Sequence, residues 1–108
     1  MREPTYFTLA ALLDGPLHGY GIVQRASELT GGRLRLTAGT LYGALDRLRE
    51  AGLITETGQE IVDGRARRYY SLTDDGRGAL EMEAERMEQA AAIVRPRPTA
   101  IRTKARPA

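Results

Sequence analysis

The sequence has no cysteine and no tryptophan, and it has a single histidine (His18), phenylalanine (Phe7) and lysine (Lys104) among its 108 residues. Without thiols there are no disulfide staples and no thiolate metal centres, which fits a reducing cytoplasm. One imidazole cannot build a zinc site by itself. There is no cysteine nucleophile, and no Gly-x-Ser-x-Gly surrounds Ser27 or Ser71. No phosphate loop closing on Lys-Ser/Thr exists either. With no catalytic constellation left, we expect a protein that is not an enzyme and carries no metal or cofactor. No apolar run approaches the ~20 residues of a membrane span. The apolar part of "MREPTYFTLAALL" is also too short for a signal peptide. A cytoplasmic protein with no membrane partner is expected.

Charge of one sign is scarce only in places. The formal net charge is +2, but five of the 16 basic residues lie from Arg95 onward, where there is no acid. The first 94 residues therefore hold 11 basic and 14 acidic side chains, a net of −3. Bulk charge carries no argument for nucleic-acid binding, so only local placement can. The segment 95–108, "RPRPTAIRTKARPA", has no apolar periodicity and stops a preceding helix with Pro96 and Pro98. It is expected to be a disordered basic tail.

The rest suggests one compact domain, for which a dimer would add useful burial. "YFTLAALL", Tyr6 to Leu13, reads as a short buried helix, and "DGPLHG" turns the chain. Gly19 to Leu29 reads as a second helix ended by Gly31-Gly32. "RLRL" reads as a very short strand or an extended link. "TAGTLYGALDRLREAGLI", Thr37 to Ile54, is a third helix with Thr37 as N-cap and Gly52 as its stop. Leu41, Leu45 and Leu48 share its apolar face at i, i+4, i+7. Two β-like runs, Leu53–Val62 and Arg65–Leu72, flank Asp63-Gly64, a strong signal for a two-residue hairpin turn. Thr73 caps a last helix, about Asp75 to Val94. There Leu80, Ala84, Met87, Ala91 and Val94 recur at 4, 3, 4, 3, a heptad seam that packs on its own domain or, as we expect, on a second copy.

Helix, helix, helix, hairpin, long helix is the order of a winged helix-turn-helix: a mainly α fold with a small β-hairpin. Residues 1–73 would form the DNA-binding domain and 74–94 a C-terminal dimerisation helix. The third helix then becomes the recognition helix, whose N-terminal outer face enters a major groove. Thr37 and Thr40 can donate to phosphates, and small Gly43 allows close approach. Tyr42 can offer its hydroxyl to a phosphate or its ring to a thymine methyl, or it can simply seal the core. Arg47 can reach the backbone or a guanine edge, or it can pair with neighbouring acids. Beyond the turn at Gly64, Arg65 and Arg67 share a strand face suited to phosphate or minor-groove contact.

Three stretches, "LAALLDGPLHGYGI", "GTLYGALDRLREAGLI" and "RARRYYSLTDDGRGAL", in this order and spacing, resemble the PadR family of transcriptional regulators, in its short type with one C-terminal helix. The resemblance covers about Thr5 to Val94. It implies a homodimer whose C-terminal helices cross, a pseudo-palindromic double-stranded DNA operator, and repression released by a small aromatic or drug-like effector. Thr40 and Tyr42 match the family's recognition-helix positions, Gly64 and Arg65 its wing tip, and His18-Gly19-Tyr20 its second-helix start. Phe7, Met82 and Met87 would lie near the dimer centre. Gly43 stands where the family often has proline, and the tryptophan that stacks on flat ligands in some members is absent. A second reading is a winged-helix protein-interaction module that docks through its acidic last helix, since the fold alone does not decide function.

Overall fold

A computed structural model describes residues 1–95 of the chain. The element order is α1 (Glu3–Ala11), β1 (Leu17–His18), α2 (Gly19–Leu29), α3 (Ala38–Glu50), β2 (Ile54–Val62), β3 (Arg65–Leu72) and α4 (Asp74–Val94). Except for Arg95, the expected basic tail lies outside the described residues.

The apolar face of α3 behaves as its spacing requires. Leu41, Leu45 and Leu48 are buried, and they join Leu9, Leu12, Ile22, Ala26, Ile54, Tyr70 and Leu80 in one core. Thr37 caps the helix by accepting from the Thr40 amide at 3.2 Å. Gly52 ends it with φ +76°, and the Leu53 amide returns to the Leu48 carbonyl at 2.9 Å, a Schellman closure. At the wing turn Asp63 and Gly64 both have positive φ, +51° and +78°, as a two-residue hairpin with the strands' own twist requires.

Two sequence expectations are corrected, and one open alternative is decided. The sheet has three strands, in order β1-β3-β2, not two, because Leu17 and His18 add antiparallel to Tyr70 and Tyr69. Two residues give no readable period, so a turn-rich stretch hid a strand. Of the two readings of "RLRL", the structure takes the second. The segment is an extended link in which Leu34 and Leu36 pack inward while Arg33 and Arg35 stay exposed. Arg33 clasps Glu3 across 30 residues with two hydrogen bonds of 3.0 and 2.9 Å. The first helix begins at Glu3, not Tyr6, because Pro4 fits the first turn, where no amide donor is needed. It ends at Ala11.

Thr73 starts α4 as expected and does a second job. Its Oγ1 accepts from the Gly76 amide at 2.9 Å and donates to the Gly52 carbonyl at 2.7 Å. Gly76 is buried here, and a Cβ on it would collide with the Leu53 carbonyl oxygen.

Candidate nucleic-acid interface

The outer surface of α3 carries two stripes. Gly39, Gly43 and Arg47 lie at i, i+4, i+8, and Arg47 folds back so that its Nη1 would stand 3.5 Å from a Cβ at Gly43. Tyr42, Asp46 and Arg49, at i, i+4, i+7, line a cleft of about 830 Å³ between α3, the start of α2 and the wing. The wing's contribution includes Arg65, Arg67 and Arg68, and the α2 end contributes His18, Gly19 and Tyr20.

The structure therefore brings together three of the expected residues, Tyr42, Arg65 and Arg67. Tyr42 is 51% exposed, so it does not seal the core. Gly64 sits in the wing turn next to them. Arg47 is exposed on the adjacent stripe rather than in the cleft. Thr37 and Thr40 stand at the exposed start of α3, where Thr37 Oγ1 donates to Thr40 Oγ1 at 3.0 Å. That bond leaves the Thr40 hydroxyl proton as the outward donor. Sequence reasoning missed Arg49 and did not give Arg68, in the same basic wing stretch, a contact of its own. The signals were present: Arg49 is i+7 from Tyr42, and Arg68 shares the strand face of buried Tyr70.

Charge is segregated on this surface. Four arginines face two aspartates in the cleft, although the first 94 residues together are net acidic. Ion pairs among the described residues engage Arg25, Arg33, Arg86 and the N-terminal amine. None of them engages Arg47, Arg49, Arg65, Arg67 or Arg68. Elsewhere on the wing the Tyr69 hydroxyl donates to Glu60 Oε1 at 2.7 Å, which raises its pKa above the usual phenol value. The His18 ring packs edge-on against Tyr69 with centroids 5.4 Å apart. Burial, and then the nearby Arg67 charge, hold the imidazole pKa below 6.5, with Glu60 opposing.

The expected dimer residues divide. Leu80 is only 4% exposed and belongs to the protomer's own core, so it has no surface to give a partner. That is a correction: the first two turns of α4 use their apolar side to close the domain. Further along, Ala84 and Ala91 are half-buried, whereas Met87 is 39% and Val94 79% exposed. An open groove of about 530 Å³ runs along Ala84, Met87 and Ala91, and its α1 wall is Tyr6. Phe7 packs against the core beside it, edge-on to Tyr6 at 5.1 Å. Among the described residues no helix is long and apolar enough to cross a membrane.

A recognition helix with a cleft-forming wing defines a winged helix-turn-helix protein of the DNA-binding class. Residues 8–82 match the Transcriptional regulator PadR-like family, and the chain belongs to that family. It is similar to the transcriptional regulator Rv3488 of Mycobacterium tuberculosis, with 41% identity over 72% of this chain and 69% of that one. Among solved structures it is similar to Bacillus subtilis PadR in complex with operator DNA, at 27% identity and a TM-score of 0.65. That match covers 92% of this chain and 51% of the other. A PadR family transcriptional regulator from Eggerthella lenta aligns at 28% identity and a TM-score of 0.65, over 82% of this chain and 76% of that one.

Proposed function

We propose that this PadR-family regulator is a homodimeric repressor that reads a pseudo-palindromic DNA operator through the cleft surface and leaves it when a small aromatic effector binds. The observation that carries the reading is the cleft itself. It concentrates arginines from helix and wing, none of them in an ion pair among the described residues, on one side of a chain whose first 94 residues are net acidic. With α3 in a major groove, the strand between that groove and the neighbouring minor groove fits between α3 and the wing. Arg49, Arg65, Arg67 and Arg68 then meet phosphates, and Thr37, Thr40, Tyr42, Gly43 and Arg47 approach backbone and base edges.

Dimerisation through the distal half of α4 is supported by its exposure. At 21 residues α4 is about 30 Å long. Leu80 is its last buried residue, and Ile93 is 82% exposed. Ala84, Met87, Ala91 and Val94 form the proposed seam, with Phe7 at its edge. The effector would enter the groove beside Tyr6 and Met87, where no tryptophan is available to stack on it.

The test is fluorescence anisotropy on the DNA upstream of the chain's own gene, across a salt series and against competitor DNA. Competitor-resistant binding by two protomers, relieved by an aromatic compound that also raises the melting temperature, is the expected result. Weak binding abolished by competitor would move the assignment to a protein-interaction module docking through α4.

A further inference from the structure

We propose that Gly19 is a positioning residue for DNA binding: its missing side chain lets Tyr42 lay its hydroxyl over the first turn of α2 and present it to the DNA backbone. The inference rests on the cleft being the DNA surface. Gly19 is the first residue of α2 and is buried. A Cβ placed there would stand 2.9 Å from the Tyr42 hydroxyl oxygen, and 3.4 Å from both Tyr42 Cζ and Leu41 Cδ2. The first of these is closer than unbonded carbon and oxygen allow. The colliding atom is the tip of an exposed side chain, so the phenol would swing away while the backbone stays.

The backbone does not call for glycine at this position. The glycines with left-handed φ are Gly15, Gly31, Gly32, Gly52 and Gly64, and Gly19 is not among them. Alanine suits a helix better than glycine does, because glycine loses more backbone freedom on folding. Local preference therefore opposes this residue, and the contact that benefits from it is the one with Tyr42. Gly21, one residue further into the helix than Tyr20, serves a different neighbour: a Cβ there would meet the His18 ring at 3.4 Å. Two small residues in one helical turn thus seat two different rings of the cleft.

With the phenol held this way, its hydroxyl lies beside α2 amides that have no partner within the helix. A phosphate oxygen approaching the cleft meets an O–H donor whose direction is set before binding. That lowers the ordering cost of the contact. Without the notch, the same ring would sample other rotamers and the contact would weaken.

The experiment uses the full chain and the duplex that the wild-type protein enriches from a random-sequence pool. Gly19→Ala, Tyr42→Phe and the double variant are compared by anisotropy and by thermal melting. Tyr42→Phe removes one hydrogen bond to a charged group per protomer, two per dimer, and is expected to weaken binding by at least about a hundredfold. Gly19→Ala is expected to weaken it by a similar factor without lowering the melting temperature. The double variant is expected to bind no more weakly than Tyr42→Phe alone, because the hydroxyl that Gly19 positions is already gone. If Gly19→Ala fails to fold, the double variant, which lacks the colliding oxygen, still supplies the comparison with Tyr42→Phe. Losses that multiply, or wild-type binding by Gly19→Ala while Tyr42→Phe is weakened, overturn the positioning role. No enrichment, or wild-type binding by every variant, overturns the DNA surface itself.

Discussion

Arg68→Ala tests the cleft most directly, because its effect has both a size and a salt signature. Arg68 lines the cleft on the same side of β3 as buried Tyr70, and none of the ion pairs among the described residues engages it. In a dimer the substitution removes two phosphate contacts. At about 1 kcal/mol per exposed contact, Kd at fixed salt should rise roughly 30-fold. Each lost contact also lowers the slope of log K against log salt by about 0.9, so the slope should become shallower by about 1.8. Contributions from other basic segments cancel, since only the difference from wild type is read. Arg25→Ala is the control, because Arg25 is paired with Asp14 and Glu28. Anisotropy titrations between low and moderate salt give both quantities. A weaker Kd with an unchanged slope would show that Arg68 does not act on phosphate. No change in either would refute the placement of DNA in the cleft.

Other perturbations address the remaining elements. Met87→Glu puts a carboxylate on the proposed α4 seam, and burying it should cost roughly 2 kcal/mol or more, at least tenfold in dimer dissociation. Sedimentation equilibrium reads this, and an undisturbed dimer would place the seam elsewhere. His18, as the single histidine, gives one imidazole signal by NMR. Its midpoint should lie below 6.5, and Arg67→Ala should raise it. Because the folded pKa is depressed, the unfolded chain binds the proton first, so His18 lowers stability as pH falls below 6.5. A midpoint at or above 6.5 contradicts the packing around the ring. Gly76→Ala should lower stability by about 1–3 kcal/mol in chemical denaturation, because the obstructing atom is backbone and cannot rotate away. A variant as stable as wild type would mean that α4 does not approach Leu53 this closely.

How much could be read in advance depended on whether a residue's role was local. The α3 core face, the Thr37 and Thr73 caps and the Asp63-Gly64 turn follow from spacing or from one residue's chemistry, and each is where the sequence places it. Strand β1 could not be read, because Leu17 and His18 become a strand only by pairing with Tyr70 and Tyr69, more than 50 residues away. The same limit hid the division of α4. Leu80 and Met87 are equivalent in the heptad, and only the position of the domain's core decides that one is covered by it and the other is not. In the candidate site, the wing arginines were legible from their nearness to the turn. Arg49 and Arg68 carried local signals, their spacing from Tyr42 and Tyr70, but only the docking of the wing against α3 shows that those two faces meet.

The chain's own connections explain why a small domain can hold the two sides of the cleft in register. The Thr73 hydroxyl binds the Gly52 carbonyl at the end of α3, and the Thr73 amide binds the Leu53 carbonyl at 3.1 Å. Leu53 leads directly into β2, and β3 leads directly into Thr73. The exit of the recognition helix, both roots of the wing and the start of α4 therefore meet at one hydrogen-bonded joint. Gly76 lets α4 press onto it without an intervening side chain. A rotation of α4 about this joint would break the two hydrogen bonds that Thr73 makes to the Gly52 and Leu53 carbonyls, so it would loosen the end of α3 and the roots of the wing together. The base of the helix that carries Met87 and Val94 is thus the base of the cleft that carries Tyr42 and Arg68. If the distal half of α4 changed its packing, the shortest route to those side chains would run through this joint.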